Sequence, residues 1–380
     1  MRGTNPMSTC PVIALRYLGL TVRIESVDPQ DLVWLEEFLV PPFQRVAGVV
    51  VDCTVSCEID AKRHAALLRE GPRSDGAMLA CFALEQQLVH LPVWASPRGE
   101  WLVYDEEFNV FYRRIAGAPH VHLLTPPANG AARIGLMRAV REFATKQAWR
   151  WGLVVHAAGF AIGDDGFVAA GAKGTGKTSL LTHMLRHPEA RFLSNDRVQL
   201  SLADGWPVIR GLPTLVSLRR ESLALFPALR DQLSGRSYQH ELGLGEAPAT
   251  PSVARFANGG RSLSPPQFCE LLGIRRADQA GLAGVLFPRV TGAGGGIGIE
   301  RLSAEDGGAR LAKALFRRGL SVHAAGLFDL EVKDSVSPEG PVEEQCRAVA
   351  SRIPCFEWRL GLDAYDDPAS IDSLLARLRG

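Results

Sequence analysis

The sequence predicts an α/β protein in two parts: an N-terminal α+β domain over residues 1–127 and an α/β domain built on a phosphate-binding loop over residues 131–380. Three observations predict this. Apolar stretches of strand length alternate with helical periodicities, the pattern of a sheet with helices packed on it. Residues 126–130, Pro-Pro-Ala-Asn-Gly, break that alternation with linker composition. Between a buried strand tail at 167–170 and a helical stretch at 178–186, Gly171-Ala172-Lys173-Gly174-Thr175-Gly176-Lys177-Thr178 fits G-x-x-x-x-G-K-[ST].

The first part reads as short strands and helices. Residues 12–24 read as strand. Asp28 and Pro29 supply a cap and an N1 proline for a helix reaching about residue 39. Residues 49–55 read as strand and 60–69 as helix, and 78–93, 101–104 and 110–115 as a meander. No residue pattern here carries a chemical signature, so the part reads as a recognition or scaffolding domain. Residues 131–149 form an amphipathic helix with Ile134, Met137, Val140, Phe143 and Ala144 on one face. Strands follow at 153–155, up to 162, and into the glycine loop. After the loop helix come a strand at 191–194, ending in Asn195 and Asp196, and strands at 198–202 and 208–209. Residues 233–267 are rich in Gly, Ser, Pro and Arg and have the length of a lid or a disordered loop. Beyond them read a strand at 282–288, a hairpin connection at 291–298 and a helix at 304–317. The tail alternates strand and helix at 328–332, 342–351, 356–360 and 368–378.

Composition bounds the partners. With 42 basic and 41 acidic residues the chain lacks the cationic excess of a broad nucleic-acid surface. No apolar run approaches the roughly 18 residues of a membrane span. The seven cysteines are odd in number and scattered, which favours buried free thiols over a metal site or disulfides. The first seven residues lack the apolar core of a signal peptide, so the expected setting is the reducing cytoplasm.

The chemistry concentrates at the glycine loop. Glycines let backbone amides of residues Gly171, Ala172, Lys173, Gly174, Thr175, Gly176, Lys177, Thr178 and Ser179 close around a polyphosphate. The helix N-terminus adds positive potential, and Lys177 adds a full charge. Thr178 offers a hydroxyl to Mg²⁺. Asp196 lies 19 residues after Lys177, a gap that one helix and one short strand fill, so its carboxylate is expected beside the loop. There it could hold Mg²⁺ or act as general base toward a hydroxyl; the plainer alternative is an aspartate capping a turn. His156, fifteen residues before Gly171, sits between apolar stretches and by itself reads as a core histidine.

Taken together, residues 155–159 (Val-His-Ala-Ala-Gly), the glycine loop and residues 193–198 (Leu-Ser-Asn-Asp-Arg-Val) resemble the HPr kinase/phosphorylase family, and more closely the wider group of HPr-kinase-like proteins. The family pattern is a histidine before the loop strand, the loop, and an aspartate-ended strand after its helix. Residues 208–213, 282–289 and 353–361 are also similar, and the resemblance spans roughly residues 131–361. It implies a PEP-carboxykinase-like core, ATP and Mg²⁺ as cofactors, homo-oligomers, and transfer of the γ-phosphate to a serine of a peptide or small protein. A precursor peptide is one candidate acceptor. The resemblance puts Asp196 at the proton acceptor, His156 at the active-site histidine and Lys177 at the phosphate-contacting lysine. Arg289 is the candidate for the family's arginine, with Arg255 and Arg261 as alternatives. Asn195 replaces one of a usual aspartate pair, and Val208 stands at the position of a metal-holding glutamate. These departures leave two other readings: a nucleotide-binding regulatory partner without catalysis, and a small-metabolite kinase.

Overall fold

A computed structural model describes residues 10–84, 87–94, 100–115, 118–127, 130–203, 206–234, 261–292, 296–316, 327–328, 341–365 and 370–379. It is a mixed α/β structure in which two large sheets lie on either side of one long helix.

The first sheet comprises β1 (Val12–Tyr17), β2 (Leu20–Ser26), β3 (Gln44–Arg45) and β4 (Cys53–Ile59). It is completed, after a separate hairpin of β5 (Met78–Leu84) and β6 (Gln87–Pro92), by β7 (Glu100–Asp105), β8 (Val110–Ile115) and β9 (His120–Thr125). Its strand order is β3-β1-β2-β4-β9-β8-β7, with β4 parallel to both β2 and β9. The stretch expected as one strand over 12–24 is the β1–β2 hairpin, because Leu18 and Gly19 both take positive φ (47° and 81°) and reverse the chain. The strand expected at 49–55 begins only at Cys53; Val50 before it is 86% exposed and has no apolar neighbourhood to join. Helix α1 (Pro29–Leu39) is capped as expected, the Asp28 carboxylate accepting from the Gln30 amide. In α2 (Ala61–Glu70), Asp60 accepts from the amides of Lys62 and Arg63.

Helix α3 (Ala131–Trp151) was expected to be amphipathic but is buried on nearly every face. The reason is its place between the sheets: it packs on β2, β4, β8 and β9 on one side and on β10 (Leu153–Ile162), β13 (Arg197–Ala203) and β14 (Trp206–Leu212) on the other. A Cβ on Gly135 would come within 2.7 Å of the Leu123 side chain, so glycine sets how closely α3 approaches β9. One hydrophobic core runs from Ile13 and Val22 through Val140 and Phe143 to Val198 and Val285. The parts separated by residues 126–130 therefore meet on α3.

The second sheet comprises β10, β11 (Asp165–Ala170), β12 (Ala190–Ser194), β13 (Arg197–Ala203) and β14 (Trp206–Leu212). After the small pair β15 (Val216–Leu218) and β16 (Arg261–Leu263) come β17 (Arg275–Arg276), β18 (Gln279–Thr291), β19 (Ile297–Arg301) and β20 (Cys355–Gly361). Strands β10, β11, β18, β14 and β13 pair in a closed ring. β10 is one continuous strand, not two. β18 and β19 do not form the expected hairpin, since β20 lies between them, parallel to β18 and antiparallel to β19. Helix α4 (Lys177–Met184) and the helices Pro265–Leu272 and Ser370–Arg379 cover one face, where Leu180, Leu181, Phe268 and Leu375 meet Phe160, Phe167 and Trp358. The helices Ala304–Lys313 and Val342–Arg352 cover the other, bringing Leu311, Cys346 and Val349 against Val285 and Cys355. The expected 233–267 loop is bracketed by the helices Pro227–Ser234 and Pro265–Leu272; residues 235–260, and the expected strand beyond Phe328, lie outside the described residues. Among the described residues, no helix is long and apolar enough to cross a membrane.

Arg138 of α3 donates to the Asp105 carboxylate of β7, and both side chains are at most 4% exposed. Asp105→Ala would remove the buried ion pair between β7 and α3, with an expected loss of about 3–5 kcal/mol in chemical denaturation. A loss under about 1 kcal/mol would show that the pair does not join the first sheet to α3.

Candidate functional site

Strand β11 delivers the chain into the glycine loop, and the loop's backbone requires its glycines. Gly174 and Gly176 have φ of 86° and 100°, the left-handed region that side chains disfavour. A Cβ on Gly176 would also lie 2.5 Å from Val290 of β18. Gly176 caps α4, whose first amides have no preceding carbonyl in the helix to bind and so bring positive potential to the loop. Lys177 is 8% exposed; its Nζ donates to the carbonyls of Gly171 (2.8 Å) and Ala172 (3.0 Å), which holds its charge inside the loop. Ala172, Lys173 and Gly174 are exposed, and Thr175 and Thr178 half-buried. The Thr175 hydroxyl donates to the Ala172 carbonyl (3.0 Å), bracing the turn. The Ser179 hydroxyl lies 3.4 Å from that of Ser222.

Asp196 lies two residues beyond the end of β12 and immediately before β13. Its carbonyl accepts from the Ala157 amide (3.0 Å), which ties it to β10, and its Oδ1 lies 3.1 Å from Nε2 of His156. His156 is 5% exposed; its amide donates to the Ala314 carbonyl (2.8 Å), and its ring lies 5.5 Å from that of Phe316. The fold thus brings together the histidine and aspartate singled out in the sequence. The Asp196 side chain keeps 35% exposure, so an acceptor could reach it. Burial pushes its carboxyl up, but the hydrogen bond and charge of His156 and the charges of Arg197 and Lys177 outweigh this and hold it below the ordinary carboxylate value. β10 links the loop to the carboxylate: Ala157 pairs with Ala170, the residue before Gly171, and its amide binds the Asp196 carbonyl.

Arg197 was not anticipated. It is 1% exposed; Nη1 donates to Glu142 Oε1 (3.2 Å) and Thr145 Oγ1 (3.1 Å) of α3, its guanidinium lies over Phe316 (4.8 Å), and its Nε is 3.9 Å from Asp196 Oδ2. Arg141 lies in the same group, where burial and the like charge of Arg197 press its guanidinium pKa downward. The available signal was a polar stripe at helical spacing, Arg138, Arg141, Glu142 and Thr145, beside the apolar face of the helix.

The departures noted in the sequence now have places. The Asn195 amide donates to the Leu215 carbonyl (3.1 Å), and its Oδ1 accepts from Thr214 (2.8 Å). An aspartate there could not make the first bond, so asparagine serves to hold the 213–215 turn. Val208 pairs with Ser201, four rungs from the Arg197–Leu212 pair. That is roughly 13 Å along the strand, too far for a carboxylate at 208 to share a metal with Asp196. Arg289 is exposed on β18, opposite Arg359 and next to Val290, and its charge acts on Glu357 rather than on Asp196. Arg255 and the Arg261 side chain lie outside the described residues.

Among the described residues, no three His, Cys, Asp or Glu side chains are grouped to hold a metal. The Thr178 hydroxyl and the Asp196 carboxylate are hard oxygen donors, the type Mg²⁺ takes alongside phosphate oxygens and water. No family model matches the chain, and no curated protein matches it.

In Arg197→Met the Asp196 carboxyl loses one of the charges that lower its pKa. Its carboxyl-carbon NMR titration is expected to move to higher pH than in the wild type. An unmoved midpoint would remove Arg197 from the site.

Proposed function

We propose that the chain is a Mg²⁺- and ATP-dependent phosphotransferase that passes the γ-phosphate to a hydroxyl, a serine of a peptide or small protein. The observation that carries this is that β10 joins the two: Ala157 pairs with Ala170, the residue before the loop, and its amide donates to the Asp196 carbonyl, beside the 3.1 Å contact of His156 with the Asp196 carboxylate. A phosphate cradle and a candidate acceptor-orienting group then belong to one site. The resemblance to HPr-kinase-like proteins supports the same reading, with a PEP-carboxykinase-like core.

Loop amides from Gly171 to Ser179 and Lys177 would bind the polyphosphate and face the charge that builds on its oxygens during transfer. Bound Mg²⁺ would supply further charge neutralisation from the Thr178 and Asp196 side. Asp196 would accept the hydrogen bond of the incoming hydroxyl and take its proton late, since a loose transition state needs orientation more than a strong base. A lowered carboxyl pKa suits that role: the group is ionised at neutral pH. His156 would keep the carboxylate aimed. The proposal includes a cytoplasmic setting, in keeping with cysteines that are all free thiols.

One observation favours a second reading. The Asn195 amide is engaged in the 213–215 turn and Val208 is out of reach, so of these three positions only Asp196 supplies a carboxylate to the site. A nucleotide-binding regulatory partner would need no more than that. Radiolabelled ATP with candidate peptides separates the two, and an ADP-release panel of small hydroxyl compounds tests a metabolite acceptor.

Asp196→Ala is expected to lower phosphotransfer by at least about 100-fold with ATP affinity within a few-fold of wild type; unchanged turnover would overturn the assignment. Lys177→Ala is expected to weaken ATP binding by about ten-fold or more in calorimetry. Undiminished binding would end the phosphate-loop reading.

A further inference from the structure

The outer face of the first sheet holds a second chemical group that the proposed phosphotransfer does not use. Strands β4 and β9 are parallel, with Ser56 opposite His122 and Thr54 opposite His120. Alternate residues share a face, so Ser56, Glu58, His120 and His122 project together. Ser56 Oγ lies 2.7 Å from His120 Nε2 and 2.8 Å from His122 Nδ1. The other nitrogen of His122, Nε2, lies 3.1 Å from Glu58 Oε2. Glu58 is anchored in turn by Arg63 of α2 at 2.6 Å.

These contacts fix the protons. An ionised carboxylate only accepts, so His122 carries its proton on Nε2 and leaves Nδ1 as the acceptor. The Ser56 hydroxyl then donates to Nδ1, and its oxygen accepts from the Nε2–H of His120. Burial lowers the pKa of both imidazoles. Against it, the hydrogen bond and charge of Glu58 raise that of His122, where His120 and Arg63 add to the lowering; Glu25 raises that of His120, where Arg113 adds to the lowering. A neutral His122 is the form that can take a proton. The other charges on this face are matched, Arg23 with Glu25 and Arg113 with Glu100, both at 2.6 Å. A metal fits less well: Glu58 meets the opposite ring nitrogen from Ser56, and among the described residues no three ligating side chains are grouped.

We infer that Ser56 is a nucleophile, with His122 as its base and Glu58 as the carboxylate that orients the base, and that it accepts acyl groups from small esters. Nucleophile, base and orienting group are all within hydrogen-bond reach, the geometry by which such sites are recognised on unrelated folds. In the step, Ser56 Oγ bonds to the ester carbonyl carbon while its proton passes to His122 Nδ1. The resulting oxyanion faces the Nε2–H of His120. Collapse breaks the bond to the leaving alcohol, which takes the proton back from Nδ1. Water, deprotonated by the same nitrogen, then releases the acid and restores Ser56. Ser56 is only 8% exposed, between two rings, so flat or unbranched acyl groups are the ones that reach it.

The test is reaction of the full chain with a fluorophosphonate probe, in which Oγ–P forms, P–F breaks and fluoride leaves, followed by peptide mass mapping. A single adduct at Ser56 is expected, falling at least ten-fold in His122→Gln and less in Glu58→Gln. Its rate should reach its plateau by neutral pH, with the acid limb below the ordinary histidine value. Thermal melts establish that each variant is folded. Glu58→Gln alters a partly exposed side chain and keeps the test open should Ser56→Ala not fold. No adduct at Ser56, or equal labelling in folded His122→Gln, would overturn the inference.

Discussion

A guanidinium at 1% exposure is tolerated only when its charge is matched and its donors are used. Arg197 finds its counter-charge by reaching out of the second sheet, its Nη1 donating to Glu142 and Thr145 of α3. That contact sets how α3 lies on β13, and α3 in turn carries the first sheet through Arg138 and Asp105 and the close pass at Gly135. Asp196 sits immediately before Arg197, so the anchor that joins the layers also places the carboxylate. Removing charge from this buried group would disturb packing and chemistry together.

The local signals proved the most legible in the sequence. The cap at Asp28, the glycine loop and the strand that precedes Asn195 and Asp196 declare themselves through short-range chemistry, and each stands where its residues indicate. What was not legible depended on partners distant in the chain. The polar stripe of α3 looks like a solvent face until β13 supplies Arg197 to meet it. The 291–298 stretch has hairpin composition, yet β20, more than fifty residues later, takes the place between β18 and β19. Asn195 reads as a lost carboxylate, whereas the Leu215 carbonyl it serves is visible only in three dimensions.

The candidate site was half legible for the same reason. Loop, histidine and aspartate lie close in sequence along β10, β11 and β12, where register fixes their spacing. Arg197, one of the groups that tune the carboxylate, is held by Glu142 and Thr145 of a helix more than fifty residues upstream. Val208 illustrates the opposite error: an alignment of types puts it near a metal, while strand register puts it four rungs away.

The two faces of the first sheet divide the work differently from the second. Its inner face is spent on α3 and on the common core, where Tyr17, Cys53, Cys57 and Tyr112 lie buried and Asp105 is taken up by Arg138. Its outer face is covered by α2 over Trp94, Phe111 and Leu124, and open over Ser56, His120 and His122. An uncovered sheet face needs polar residues, but charged pairs such as Arg23 with Glu25 satisfy that need without histidine or a buried serine. Two imidazoles converging on one hydroxyl, backed by an anchored carboxylate, go beyond what solvation asks of that surface. The first sheet is therefore better understood as a second chemical surface fixed to the phosphate-loop half through α3 than as a scaffold alone.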